Sequence, residues 1–150
     1  MATMKGIYIL LLRMKESKDI RVGKLGMLHF RRGYYSYVGS AQGSGGEKRI
    51  TRHFNVAYGK NHIRKWHIDY LLPHSEVICA VFSPTDEAIE CVVAEILSKY
   101  SDGLKGFGCS DCHCASHLFF TVRNIMGEAS DICKGVSGNE SIIIYPANEK

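Results

Sequence analysis

The sequence lacks any apolar run long enough to cross a membrane as a helix. The apolar run near the N-terminus, GIYILLL at 6–12, is short, and no small-residue cleavage site follows it. It therefore predicts a buried strand and not a signal peptide. From these two absences we expect a cytoplasmic protein with no membrane partner.

Internal repeats and low-complexity linkers are also absent from the chain. A chain of 150 residues, of which 45% are apolar and 23% charged, has the balance of a globular protein with one sizeable core. The sequence therefore predicts a single domain over residues 1–150.

A strong excess of one charge is missing too, because the formal net charge is only +4 at pH 7. The basic residues are nevertheless concentrated in EKRITRH at 47–53 and KNHIRKWH at 60–67. Such a concentration is what a phosphate backbone requires, although a solvated helix face has the same composition. The candidate DNA contacts are Lys48, Arg52, Lys60, Arg64 and Lys65.

The spacing of apolar residues predicts an α+β fold, with a small mixed or antiparallel central sheet flanked by helices. One helix is expected from about Gly45, because Ser44 and Glu47 have capping-box spacing. A second is expected from Pro84, with Ser83 as its N-cap and an apolar stripe that ends at Tyr100. The segment WHIDYLL at 66–72 fits either a short helix or a strand. The predicted strands are 5–13, 20–23, 27–31, 34–39, 76–82, 117–122 and, as an edge strand, 141–146.

A tyrosine-rich strand and a glycine-rich loop, YYSYVGSAQGSGG at 34–46, lead directly into the first helix. Period-two alternation places Tyr35, Tyr37 and Gly39 on one strand face. Glycines allow close approach to a ligand, Arg49 offers a planar charged fork, and His53, four residues on, exchanges protons near neutral pH. This combination suits a phosphate site. The alternative is that the tyrosines only pack and that Arg49 and His53 decorate an exposed face.

A carboxylate, Glu90, falls on the apolar stripe of the second helix, where it is costly unless it is paired or bound to a cation. A single carboxylate can hold Mg²⁺ when water and phosphate fill the other positions. The alternative is an ordinary glutamate at the edge of the stripe. In WHIDY, His67 and Asp69 are interpreted as a structural pair, with a place at the pocket wall left open.

The segment CSDCHCASH offers four ligands of the types that tetrahedral Zn²⁺ prefers. Structural zinc sites usually use two separated pairs, so cysteines that pack as small hydrophobic residues are the competing interpretation. Cys91 or His67 could also replace one ligand. The candidate zinc ligands are Cys109, Cys112, Cys114 and His117.

Three separated pieces, GIY at 6–8, YVG at 37–39 and EKRITRHF at 47–54, together resemble the GIY-YIG nuclease superfamily. More narrowly, RVGKLG, GYYSYVGSA, WHIDYL and GFGCSDCHCASHLF resemble a branch found in archaea and bacteria that is sometimes fused to endonuclease III. The resemblance covers about residues 5–121 and leaves 122–150 as a C-terminal extension. The two tyrosine motifs lie farther apart than in most members, which predicts an inserted hairpin between them.

The resemblance implies an endonuclease that hydrolyses DNA phosphodiester bonds with one divalent metal, Mg²⁺ or Mn²⁺, in repair or processing. Tyr8 and Tyr37 match the motif tyrosines, one of which activates water, and Arg49 matches the arginine that stabilises the phosphoryl transition state. His53 matches a helix histidine of some members, and Glu90 is the candidate metal ligand. For the family's late asparagine, Asn124 and Asp111 are weak matches.

Two other interpretations of the chain remain open. It could be a non-catalytic nucleic-acid-binding module that retains the nuclease fold and acts beside a DNA glycosylase or another repair protein. It could also be a zinc-stabilised interaction domain. DNA is the expected partner of the endonuclease and of the non-catalytic binding module, whereas stoichiometric zinc is expected in the interaction domain.

Overall fold

A computed structural model of the chain describes residues 5–41, 46–108 and 115–146, and it has an α+β fold, as predicted. The strands are β1 (Gly6–Met14), β2 (Lys18–Arg21), β3 (Met27–Phe30), β4 (Gly33–Ala41), β5 (Glu76–Pro84), β6 (Asp102–Gly103), β7 (Leu118–Thr121) and β8 (Ile142–Ile144). The helices are α1 (Gly46–Ala57), α2 (His67–Leu71), α3 (Glu90–Ser98) and α4 (Met126–Ser137). The predicted capping box of Ser44 and Glu47 lies outside the described side chains.

Six strands form one sheet in the order β6-β7-β4-β1-β5-β8, and every neighbouring pair in it is antiparallel. β1 lies between β4 and β5 and is buried along almost its whole length. A strand covered on both faces needs apolar side chains on both, which is why GIYILLL is a continuous run and not an alternation.

Each face of the sheet carries its own hydrophobic core. Tyr8, Leu10 and Leu12 point into one core, which α1, α2 and the inserted hairpin cover. Ile7 and Ile9 point into the other core, beneath α3 and α4. Because side chains alternate along a strand, consecutive residues of β1 separate into the two cores.

The predicted insertion between the tyrosine motifs is present as a two-stranded sheet of β2 and β3. The turn between these strands is a 3₁₀ helix at Gly23–Leu25. Ile20, Val22 and Phe30 are buried in the core that also holds Tyr8. The hairpin therefore extends the core on the α1 side of the sheet and is not a detached loop.

The predicted start of the second helix at Ser83 and Pro84 is wrong. Both residues belong to β5, where Ser83 is opposite Ile7, and the helix begins only at Glu90. The buried Ser83 hydroxyl donates to the carbonyl oxygen of Asn139 at 3.0 Å, so it is used by a tertiary contact and not by a cap. Tyr100, expected on the apolar stripe, lies beyond the last helical residue and is 51% exposed.

The C-terminal segment packs onto the same sheet. α4, which the sequence pattern left unassigned, buries Ala129 and Cys133 in the core shared with Ile7 and Ile9. β8 pairs with β5 as the predicted edge strand. Among the helices in the described ranges, none has both the length and the apolarity needed to cross a bilayer.

Candidate active site

The predicted catalytic residues meet in one cavity of about 330 Å³ at an end of the sheet. They arrive from different elements: Tyr8 from β1, Tyr37 from β4, Arg49 and His53 from α1, and Glu90 from the first position of α3. Because α1 and α3 pack on opposite faces of the sheet, the cavity can collect groups from both only where the strands end.

The Tyr8 hydroxyl oxygen lies 2.8 Å from Nε2 of His53 in the core. His53 is fully buried, so the alternative in which it decorates an exposed face is wrong. Burial lowers the pKa of His53 to about 3, so its imidazole is neutral at physiological pH. Nδ1 of His53 is buried without a hydrogen-bond partner among the described residues, so its polar contact is with Tyr8 alone.

Tyr8 is itself almost fully buried and lies close to several charged or polar groups of the cavity. Burial raises the pKa of Tyr8 well above its ordinary value, Tyr37 and Glu90 act in the same direction, and Arg49 opposes them. Tyr8 is therefore a neutral phenol in this structure. To accept a proton from water it must pass its own proton on. Tyr8 is hydrogen-bonded to His53 and to Arg49, and of these two only the neutral imidazole can accept a proton.

Gly39 makes room for the Tyr8 ring. The two residues face each other across β1 and β4, and a Cβ built on Gly39 would lie 2.5 Å from both Cζ and the hydroxyl oxygen of Tyr8. A contact that short cannot be accommodated without moving the ring. The position of the Tyr8 ring in GIY therefore requires a glycine at position 39 in YVG.

Ser40 connects Arg49 to Glu90. The Ser40 carbonyl oxygen accepts a 2.7 Å hydrogen bond from Nη1 of Arg49, and the Ser40 hydroxyl donates to Oε1 of Glu90 at 2.7 Å. One residue of β4 thus positions a cation from α1 and an anion from α3. Because the arginine uses a main-chain acceptor, it keeps its full charge beside the cavity.

Glu90 has a second partner in His117, whose Nδ1 lies 3.2 Å from Oε2 of Glu90. Hydrogen bonding to His117 keeps the pKa of Glu90 below its usual value, Ser40 acts in the same direction, and burial opposes both. An ionised carboxylate that borders the cavity and keeps unused lone pairs fits a monodentate Mg²⁺ ligand. Within the described residues, however, no three His, Cys, Asp or Glu side chains are arranged to hold a metal.

Asp69 anchors the segment that precedes α2. It is fully buried and accepts hydrogen bonds from both terminal nitrogens of Arg52, at 2.9 and 3.0 Å, and from the main-chain N–H groups of Lys65 and Trp66. Burial acts to raise its pKa, but these bonds hold the pKa of Asp69 below its usual value. The predicted partner of Asp69 was His67, and the structure gives it Arg52 instead.

The predicted DNA contacts are divided by this arrangement. Arg52 is held by Asp69, so most of its charge is already balanced. Lys48, Lys60, Arg64 and Lys65 are exposed.

Trp66, half-buried at the cavity wall, has cations around its ring, with Lys65 Nζ and the Arg49 guanidinium each 5.1 Å from the centroid. The basic surface therefore continues up to the cavity. DNA contact by the five predicted residues stays a prediction.

The predicted zinc ligands are only partly described. Cys109, Cys112 and Cys114 lie outside the described residues, as does Asp111. His117 is buried against Glu90 and belongs to the cavity. The other weak asparagine match, Asn124, is exposed and accepts a hydrogen bond from the Met126 N–H at the start of α4. Zinc binding by CSDCHCASH stays a prediction.

Ser40, Trp66 and His117 are cavity residues that the sequence did not assign to catalysis. Ser40 directly follows YVG, so its place in the motif was a usable signal. His117 was noticed only as a metal ligand, because nothing local links it to Glu90, which is far away in the chain. Such pairs become visible only when β7 is placed beside β4.

The chain matches a known protein family over most of its length. A family model described as "Domain of unknown function DUF123" matches residues 7–137, which is most of the chain. The matched region includes the whole cavity and α4. Neither the curated proteins nor the solved structures contain a significant match.

Proposed function

We propose that this chain, which belongs to the DUF123 family, is a divalent-metal-dependent endonuclease that hydrolyses DNA phosphodiester bonds. The observation that carries the proposal is the meeting of Tyr8, Tyr37, Arg49, His53 and Glu90 in one cavity. Their likeness to the GIY-YIG nucleases in residue type and order supports the same reaction. It also supports a role in DNA repair or processing, with a DNA glycosylase as a candidate partner.

Arg49 is the group that stabilises developing charge in this mechanism. Hydrolysis of a phosphodiester places additional negative charge on the non-bridging oxygens in the transition state, and a guanidinium fork binds two oxygens at once. Arg49 borders the cavity and is fixed by the Ser40 carbonyl, so little reorganisation is needed when substrate binds. A preorganised cation of this kind typically contributes a rate factor of about 100 or more.

Tyr8 and His53 form the proton-transfer pair of the mechanism. As water attacks phosphorus, the bond to the leaving sugar oxygen breaks and that oxygen takes a proton from solvent. In the same step the Tyr8 oxygen takes a proton of the attacking water while the phenol proton moves to Nε2 of neutral His53. The raised pKa of Tyr8 disfavours a free phenolate, and the lowered pKa of His53 disfavours a lasting imidazolium. The two transfers are therefore coupled, and the proton leaves His53 again by the same route. Tyr37, whose ring centroid is 6.0 Å from that of His53, forms the neighbouring wall and helps to place the water.

Glu90 is the residue that would hold Mg²⁺ or Mn²⁺, with water and phosphate oxygens as the remaining ligands. The cation would supply positive charge next to the scissile phosphate. Ser40 and His117 keep the carboxylate ionised and aimed at the cavity. The exposed residues Lys48, Lys60, Arg64 and Lys65 would bind the flanking phosphates.

The test is a cleavage assay on duplex, nicked, flapped and branched DNA with Mg²⁺ or Mn²⁺. We expect Mg²⁺-dependent products from the natural protein and none from Glu90→Gln. Glu95→Gln, an exposed glutamate on the same helix, is the matched control and should cleave normally. Full activity in Glu90→Gln would remove Glu90 from the mechanism.

Two other functions predict different outcomes in the same preparation. Salt-sensitive DNA binding without any product would identify a non-catalytic nucleic-acid-binding module. A zinc-stabilised interaction domain requires stoichiometric zinc, which elemental analysis of protein purified without chelators would detect. Absence of zinc in that preparation would exclude the zinc-stabilised interaction domain.

A further inference from the structure

His67, the first residue of α2, also lines the cavity, and its Nδ1 accepts a 2.8 Å hydrogen bond from the Gly108 N–H. A ring nitrogen that accepts from an amide is unprotonated. In a neutral imidazole the proton must then be on Nε2. The main chain at Gly108 therefore selects one tautomer of His67, with Nε2–H as a hydrogen-bond donor.

The ring of His67 is also fixed in orientation. It packs edge-on against the buried Phe107, with ring centroids 5.6 Å apart at 66°. Gly108 has a φ of +74°, and a Cβ added there would lie 3.1 Å from Cβ of His117 and 3.3 Å from Cε1 of Tyr37. The main chain that holds His67 thus passes between two residues of the cavity.

The other ring nitrogen is available to a ligand. Nε2 of His67 has no hydrogen-bond partner among the described residues. The described side-chain atoms that are both buried and without a partner are Ser36 Oγ and His53 Nδ1, so Nε2 of His67 is not a buried atom. Nε2 is therefore open to solvent at the cavity. Burial lowers the pKa of His67 below its ordinary value, which keeps the ring neutral and the bond to Gly108 intact near pH 7.

We propose that His67 is a further catalytic residue, which donates a hydrogen bond from Nε2–H to a phosphoryl oxygen of the bound substrate. This inference rests on the proposed function of the same cavity and adds to it a neutral donor beside the cation Arg49. A neutral imidazole can stabilise a developing oxyanion without itself changing protonation state. No proton leaves His67 in this role.

Two amide substitutions test the two ring nitrogens of His67 separately: the Nε2–H donor and the Nδ1 acceptor that binds the Gly108 N–H. His67→Asn places an amide oxygen near the position of Nδ1, so it can still accept from Gly108, but it removes the Nε2–H donor. His67→Gln places an amide nitrogen near the position of Nε2 and gives up the bond to Gly108. If the donor matters, His67→Asn should unfold like the natural protein but cleave DNA about 100-fold more slowly. His67→Gln should be less stable yet the more active of the two.

A cleavage rate in His67→Asn equal to that of the natural protein would overturn the inference and leave the proposed function standing. His74→Asn, an exposed histidine just beyond α2, is the control for the substitution itself and should have no effect. If His67→Asn does not fold, or if the natural protein cleaves no DNA, a binding measurement on the natural protein decides instead.

That measurement follows the His67 ring nitrogens by ¹⁵N nuclear magnetic resonance as inorganic phosphate is added, with chloride at equal ionic strength as the control. A shift of the Nε2 resonance with phosphate, but not with chloride, supports the donor role. An unchanged Nε2 resonance up to saturating phosphate overturns it. This result does not depend on whether the protein is a nuclease.

Discussion

The Tyr8 hydroxyl oxygen and Nε2 of His53 lie 2.8 Å apart, although 45 positions separate the two residues in the chain. The pair joins the central strand β1 to α1 inside the core. A phenol and a neutral imidazole in contact, both buried at the cavity, form a path for a single proton and do not form an ion pair.

Removal of the Tyr8 hydroxyl should lower the cleavage rate strongly while the protein still folds. Tyr8→Phe keeps the ring but leaves both nitrogens of His53 without a partner, which should cost about 1–3 kcal/mol of unfolding free energy. Cleavage should fall by about 100-fold or more, because proton transfer is lost. Tyr35→Phe is the control, since the Tyr35 hydroxyl also makes one bond, to the Arg31 carbonyl at 2.8 Å, away from the cavity. Equal activity in the two variants would contradict the role of Tyr8.

An alanine at Gly39 should displace the Tyr8 ring, because the added Cβ would lie 2.5 Å from it. Crowding of this kind typically costs about 1–3 kcal/mol, and we expect cleavage to fall with the displacement. Gly127→Ala in α4 is the matched control, because nothing lies within 4 Å of the added Cβ. That helix position should gain up to about 1 kcal/mol. Denaturant unfolding and a cleavage assay of both variants test the comparison.

Acidification should destabilise the protein before its carboxylates titrate. The pKa of His53 is about 3 in the folded state, against 6.5 for the ordinary group. The unfolded chain therefore binds more protons between these values, and stability falls as pH is lowered through that window. Between pH 7 and 5, still above the ordinary pKa values of Asp and Glu, the slope should approach about 1.4 kcal/mol per pH unit at its steepest.

The control for this pH dependence is His53→Gln, which removes the titrating group. The difference in unfolding free energy between the natural protein and His53→Gln should shrink steadily from pH 7 to pH 5 in urea titrations. His67 and His74, whose pKa values burial also lowers, contribute in both proteins and cancel in the comparison. A difference that stays constant with pH would show that His53 titrates normally in the folded protein.

Asp69 should be among the most sensitive polar positions. It is fully buried and holds Arg52 together with the main chain of Lys65 and Trp66. Asp69→Ala leaves the Arg52 cation and two main-chain donors without their acceptor, which typically costs about 3–5 kcal/mol. Asp131→Asn on the exposed side of α4 should change stability by less than about 0.5 kcal/mol. Urea midpoints of the two variants compare the positions directly, and similar midpoints would contradict the anchoring role.

Local patterns predicted much of the fold. The continuous apolar run of β1, the alternation that separates Tyr37 from Val38 and the edge strand β8 follow from side-chain periodicity, which is set by the chain itself. The second helix exists, but its predicted start at Ser83 is wrong, because Ser83 and Pro84 pair with β1 as part of β5 despite their local capping signal. The unassigned α4 has glycines within it, and its position depends on packing against the sheet more than on propensity.

The sequence by itself determined which residue types were available for a phosphate site: the tyrosines of β1 and β4, Arg49 and His53 four residues apart on α1, and Glu90 at the start of α3. Tertiary structure decided how they are used. Only antiparallel pairing places Gly39 against Tyr8, and only burial keeps His53 neutral below the ordinary pKa of a histidine. Likewise, the hydrogen bonds from Arg52 to Asp69 and from the Gly108 N–H to His67 form only when distant segments of the chain come together. These contacts join residues far apart in the chain, so their geometry and the resulting pKa shifts exist only once the sheet has formed.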